Sequence, residues 1–151
     1  MKRLLAMLLL VALVLTMVPA ITPTASAEAV TGLVWKQGSY YAELKPSVTI
    51  RRYTVIPCKE GEIYTLKFPS DNWAIYAHFA DADGDFGKEY LLRTGKPLDI
   101  VVREMDGRVP TEIRLTTFNR TNTNLVLDDA NFASFDVTIT KTTKPAADLL
   151  W

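Results

Sequence analysis

Two patterns of apolar positions divide the chain. At the amino end, Leu4 to Val18 is apolar throughout except for Thr16, with no polar stripe. Beyond it, short segments alternate apolar and polar side chains with a period of two, the signature of strands with one buried face. Ile75, Ala77 and Phe79 fall on one side, with Ala74, Tyr76 and His78 on the other. Ile113 and Leu115 oppose Glu112, Arg114 and Thr116; Phe135, Val137 and Ile139 oppose Asp136, Thr138 and Thr140. Strands are predicted over 33–37, 48–56, 62–68, 73–81, 86–92, 98–103, 111–117, 124–127 and 132–140. All are short, rich in Val, Ile, Thr, Tyr and Phe, and bounded by turn residues. Lys59-Glu60-Gly61, Pro69-Ser70-Asp71-Asn72, Ala82-Asp83-Gly84-Asp85, Thr94-Gly95-Lys96 and Met105-Asp106-Gly107 supply those turns. Regular strands with no long helical stretch predict an all-β fold, an antiparallel two-sheet β-sandwich, in which each strand has one buried and one wet face.

The first apolar run does not belong to that fold. Met1-Lys2-Arg3 is basic, Pro19 and Pro23 follow the run, and Ala25-Ser26-Ala27 is a small-x-small site. This is the layout of a secretory signal peptide over 1–27, cut after Ala27. The run is shorter than the ~20 residues of a membrane span. An uncleaved anchor is the competing reading, and the small residues at 25 and 27 oppose it. Cleavage removes 27 of the 151 residues and leaves 124, with 15 basic side chains against 17 acidic ones. We therefore expect one domain over 28–143, a tail over 144–151 ending in Leu149-Leu150-Trp151, and a secreted or extracytoplasmic location with no membrane span after cleavage.

Charge and cysteine count narrow the function. A near-neutral chain without a basic cluster argues against nucleic acid, whose binding rests on phosphate neutralisation. Cys58 is the single cysteine, so no intramolecular disulfide can form; it is expected as a partly buried thiol, with an intermolecular bridge as the alternative. His78 is the single histidine, which excludes a multi-histidine zinc site. The chain has no G-x-S-x-G, P-loop or G-x-G-x-x-G motif. Asp81, Asp83 and Asp85 invite a calcium reading, but an EF-hand would need glycine where Phe86 stands and a bidentate glutamate where Leu92 stands. Asp83-Gly84 reads better as the tip of a hairpin. No cofactor is expected.

Trp35-Lys36-Gln37-Gly38, the stretch Arg51 to Tyr64 (RRYTVIPCKEGEIY), Phe79 to Phe86 (FADADGDF) and Glu112-Ile113-Arg114-Leu115-Thr116 together resemble a family. They are similar to the jelly-roll, carbohydrate-binding-like β-sandwich modules of bacterial secreted and phage tail proteins, over roughly residues 33–119. The resemblance implies a jelly-roll-like sandwich and a non-catalytic role, glycan binding being the commonest. It supplies no binding residue.

Sugar recognition needs aromatic faces against pyranose C–H groups and planar donors for the hydroxyls. Tyr76 and His78, two apart on the polar side of one strand, are the expected platform, with Arg103 and Arg114 as forked donors. An ordinary wet sheet face is the plain alternative. Tyr40 and Tyr41, expected in a loop after Gly38-Ser39, form a second patch. Trp35 and Trp73 are expected in the core. The partner is therefore expected to be a polysaccharide or glycan. The other readings are an assembly module of the cell surface or a phage-like particle, using a protein partner through the tail, and a small two-carboxylate glycan hydrolase.

Overall fold

The computed structural model describes residues 25–41, 43–68, 71–92 and 96–143. The expected signal peptide, except its last three residues, and the C-terminal tail lie outside the described residues. Among the described residues no helix is long and apolar enough to cross a membrane.

The strands are β1 Glu28–Ala29, β2 Lys36–Gln37, β3 Ser39–Tyr41, β4 Glu43–Lys45, β5 Arg52–Pro57 and β6 Glu62–Lys67. They continue with β7 Trp73–Asp81, β8 Gly84–Leu92, β9 Leu98–Val101, β10 Glu112–Asn119 and β11 Thr138–Thr143, with a short helix α1, Asp129–Phe132, before the last. Every pairing is antiparallel. One sheet has the order β1-β11-β6-β9 and the other β2-β5-β10-β7-β8, while β3 and β4 pair as a separate hairpin. The two larger sheets face each other over one core. Tyr64, Leu66, Ile100 and Ile139 come from the first; Ile56, Ile75, Phe79, Ile113 and Leu115 come from the second. The chain is thus an all-β antiparallel sandwich, as the alternation predicts.

The pattern placed β7 correctly, and the β7–β8 turn falls at Ala82-Asp83, with Gly84 at φ 105° opening β8. Asp81 fixes the turn by accepting from the Asp83 N–H at 2.8 Å. Strand ends shift, with 33–37 reduced to Lys36–Gln37 and 48–56 starting at Arg52, and three larger expectations change. The 124–127 segment is not a strand: Leu127 drops into the core and its N–H bonds to the Thr49 carbonyl at 2.9 Å, while Val126 is exposed. Residues 132–137 are not strand either. Asp128 caps α1 by accepting from the Asn131 N–H at 2.8 Å, and β11 starts only at Thr138. That detour lets Phe132 and Phe135 stack at 4.6 Å and close the end of the core, edge-on to Trp73 at 5.8 and 5.1 Å. Trp35 joins the same cluster 4.9 Å from Phe135, so both tryptophans pack inward as expected, Trp73 fully and Trp35 partly.

The third change concerns the outer face of one sheet. The outer face of the five-stranded sheet is not uniformly wet, because Arg114 and Thr116 on β10 are buried. The β3–β4 hairpin, which the sequence pattern presents as a loop, lies over them. Thr116 Oγ1 accepts from the Tyr40 N–H and donates to the Tyr40 carbonyl, both at 3.0 Å, completing the β3 backbone with a side chain. Gly38 makes the approach possible. At φ 129° an added Cβ would lie 3.1 Å from the Lys45 carbonyl oxygen and the Pro46 Cα.

Candidate functional site

Cross-strand register assigns the outer face residue by residue. β10 contributes Glu112, Arg114, Thr116 and Phe118, spaced two apart. Beside them β7 places Ala80, His78, Tyr76 and Ala74, and β5 places Pro57, Val55 and Tyr53. Tyr76 and His78 therefore do share a face, as the alternation implies, but they have different surroundings.

His78 is buried, which corrects its place in the expected platform. The β7–β8 register shifts between Ala77 and Phe79, and this irregularity sets Glu89 beside the ring, its Oε2 3.5 Å from Nε2. Arg114 is likewise not a free forked donor. Its Nε donates to Glu112 at 2.7 Å, its Nη1 meets Asp85 at 2.5 Å, and its guanidinium lies 4.2 Å from the Tyr40 ring centroid. Burial pulls the Arg114 pKa down, and the bonds to Glu112 and Asp85 overcome this and raise it. The group is a clasp fixing β10, β8 and the hairpin. Arg103, exposed beyond the end of β9 in the other sheet, does not join this face. Tyr40 is partly buried, edge-on to Tyr53 at 5.6 Å, so it is a strand residue and no loop patch. Tyr41 pairs with Glu43 in the hairpin; its side chain lies outside the described residues.

Tyr76 keeps a half-buried position with an aromatic partner that the strand pattern alone does not reveal. Phe118, its diagonal neighbour on β10, stacks with it at 5.3 Å and 21°. The Arg51 guanidinium stands 5.9 Å from the Phe118 centroid and donates to Ser39 Oγ at 3.3 Å. Arg51 immediately precedes β5, so it projects from the end of the sheet that Phe118 occupies. Two near-parallel rings beside an arginine are the elements sought for sugar recognition, here built from Tyr76, Phe118 and Arg51.

The acidic hairpin has another use. Arg108, held opposite Met105 in a tight turn, grips Asp81 through two bonds, one Nε to Oδ2 at 2.8 Å and one from Nη2 to Oδ1, and reaches the Gly84 carbonyl at 3.1 Å. The guanidinium also covers Phe86 at 4.0 Å. The hydrogen bond from Arg108 is the main cause that lowers the Asp81 pKa. Asp81 and Asp85 are thus each bound to an arginine. Among the described residues no group of three or more His, Cys, Asp or Glu is placed to hold a metal ion.

A concavity of about 370 Å³ opens elsewhere, between β1 and β5, lined by Glu28, Val30, Leu33, Ile56, Tyr64 and Lys141 among others. Its polar wall is internally matched: Lys141 Nζ lies 3.4 Å from Glu62 and 3.8 Å from Glu28, and Tyr64 donates to Glu62 at 2.8 Å. Burial and the Glu62 bond push the Tyr64 hydroxyl well above its usual range. Nearby, burial and then the charges of Glu62 and Glu112 push the Cys58 thiol up to about 12. Cys58 is a buried core residue, in line with the sequence expectation.

No family model matches the chain, and neither the curated proteins nor the solved structures contain a match to it.

Proposed function

We propose that the protein is an exported, non-catalytic binding module with a jelly-roll-like sandwich, led by the signal peptide 1–27, and that it binds a polysaccharide or cell-surface glycan. The observation supporting this reading is the Tyr76–Phe118 stack beside Arg51 on the outer face of the five-stranded sheet. A pyranose presents an apolar C–H face to such rings, and its hydroxyls accept from a guanidinium fork. The rest of the same face is internally committed: Arg114 to Asp85 and Glu112, and Tyr40 to Thr116. The rings are therefore the part of the face left for a ligand.

A thermal-shift screen of the purified protein against soluble polysaccharides tests this. A ligand at a hundredfold its Kd stabilises the folded state by about 2.7 kcal/mol. For a domain of this size that is a rise in Tm of roughly 10 °C. We expect a rise with one polysaccharide class that disappears in Phe118→Ala and Tyr76→Ala, each of which remains folded. No rise with any polysaccharide, or an undiminished rise in both variants, overturns the reading.

A further inference from the structure

We infer that the glycan taken by this face is an anionic one, bearing carboxylate, sulfate or phosphate groups, and that Arg51 is the residue that reads its charge. The inference rests on the glycan reading above and names its ligand class.

The outer face is electrically polarised along its strands. In the row across Glu112, register places Ala80 and Asp85, so two carboxylates sit at that end. The next row holds Arg114 and His78, with Glu89 beside the histidine. Then the acids stop. The third row is Tyr53, Thr116, Tyr76 and Leu91, with Lys36 opposite Tyr53 on β2; the fourth is Phe118 and Ala74, with Arg51 alongside. Rows lie ~7 Å apart along a strand, so Phe118 stands ~20 Å from Glu112. Among the described residues, the charged side chains in strand register at the aromatic end of the face are thus cationic, while the acidic end is where the arginine clasp is spent.

Arg51 differs from the other arginines that approach aromatic rings. Arg52 is ion-paired with Asp129, Arg108 with Asp81, and Arg114 with Asp85 and Glu112. Arg51 is half-buried, and among the described residues the hydrogen bond of its guanidinium goes to a neutral hydroxyl, Ser39 Oγ at 3.3 Å, and it forms no ion pair. A guanidinium has five N–H donors in a planar fork, so most remain for a ligand. Next to a ring that excludes water from one side, such a fork favours a planar or tetrahedral anion. To such an anion the fork can make parallel bidentate bonds between opposite charges, a fit in geometry and charge that a neutral hydroxyl does not offer. A uronic acid or a sulfated or phosphorylated sugar places its anion a few ångströms from its own C–H face. That matches an arginine fork beside an aromatic stack.

The test compares matched ligands that differ only in charge: polygalacturonate against its fully methyl-esterified form, and dextran sulfate against dextran. Binding to the purified protein is measured by calorimetry at two NaCl concentrations. We expect the charged member of at least one pair to bind at least tenfold more tightly than its neutral partner, more weakly at high salt. Arg51→Gln should abolish that preference, Arg51→Lys should retain part of it, and Phe118→Ala should weaken binding of the preferred ligand. Equal binding of charged and neutral members, unchanged in Arg51→Gln but lost in Phe118→Ala, overturns the anion inference and leaves the glycan reading standing. Polyanion binding indifferent to both Arg51→Gln and Phe118→Ala overturns it as unspecific electrostatics. No binding by any of the four overturns both. Unchanged Tm values of the unliganded Arg51 variants exclude misfolding as the cause of a loss.

Discussion

Replacing Arg114 with methionine tests whether the arginine clasp is structural. The side chain is 9% exposed, Asp85 is 14% and Glu112 is 29% exposed. Methionine keeps most of the apolar stem and removes the charge, leaving two carboxylates facing each other without their cation. Breaking a buried pair in this way costs about 3–5 kcal/mol. Glu112, the more accessible of the two, can turn toward water, which argues for the low end. The lost stack under Tyr40 adds about 0.5–1 kcal/mol, so the expected total is about 3–4 kcal/mol. With a urea m-value of roughly 1.5–2 kcal/mol/M, the midpoint should fall by about 2 M at neutral pH. The triple variant Arg114→Met, Asp85→Asn, Glu112→Gln removes the stranded charges together and should regain most of the loss. A loss below about 1 kcal/mol for Arg114→Met, in the range of exposed ion pairs, would refute the clasp. So would a triple variant no more stable than the single one. Either outcome would return Arg114 to the pool of candidate ligand donors.

Two further predictions follow from the titrating groups. With its pKa at about 12, Cys58 carries about a thousandfold less thiolate near pH 8 than an ordinary cysteine, so alkylation of the native protein should be slow and accelerate sharply in denaturant; rapid labelling of the folded protein would contradict its place in the core. Asp81 is held below the usual carboxylate range by Arg108, so its contribution to stability is present above the unfolded-state pKa and is lost as pH falls through the depressed folded value. Acid titration of the folding midpoint should therefore show a steeper loss in the native sequence than in Asp81→Asn; identical acid limbs would show that the Arg108 bridge carries no linked proton.

The fold class was legible because its strongest strands obey one simple rule. Along 73–79 apolar side chains recur at every second position, Trp73, Ile75, Ala77 and Phe79, and the structure places 73–81 in one strand. The rule fails wherever long-range contacts, and not local propensity, decide the backbone. Ser39 to Lys45 is short and alternates only weakly, through Tyr40, Ala42 and Leu44, and it is held as a hairpin where the Thr116 hydroxyl supplies a donor and an acceptor from a strand far along the chain. Leu125-Val126-Leu127 looks like strand, yet it is an irregular segment in which Leu127 is buried, Leu125 packs partly against the core and Val126 is exposed. Phe135 shares parity with the true strand residue Ile139, but it and Phe132 serve an aromatic plug reached through a capped helical turn. The candidate site divides in the same way. Tyr76 could be picked from its own strand. Its partner Phe118 depends on β10 register, and Arg51 depends on where the hairpin leaves the face uncovered. Parity could not show that His78 and Arg114 are buried, because parity assigns a side chain to a face and is silent on what lies above that face.

The pairing of β1 with β11 has an architectural consequence. Glu28 lies opposite Lys141, so the chain enters and leaves the sandwich at the same edge of the four-stranded sheet. The aromatic stack belongs to the other sheet. A segment joined at Glu28 and one joined just past Lys141 would therefore start from neighbouring strands, on the sheet that does not carry the rings. A change made at either of those junctions is thus a change to one seam of the sandwich, with the ring-bearing sheet on the far side of the core.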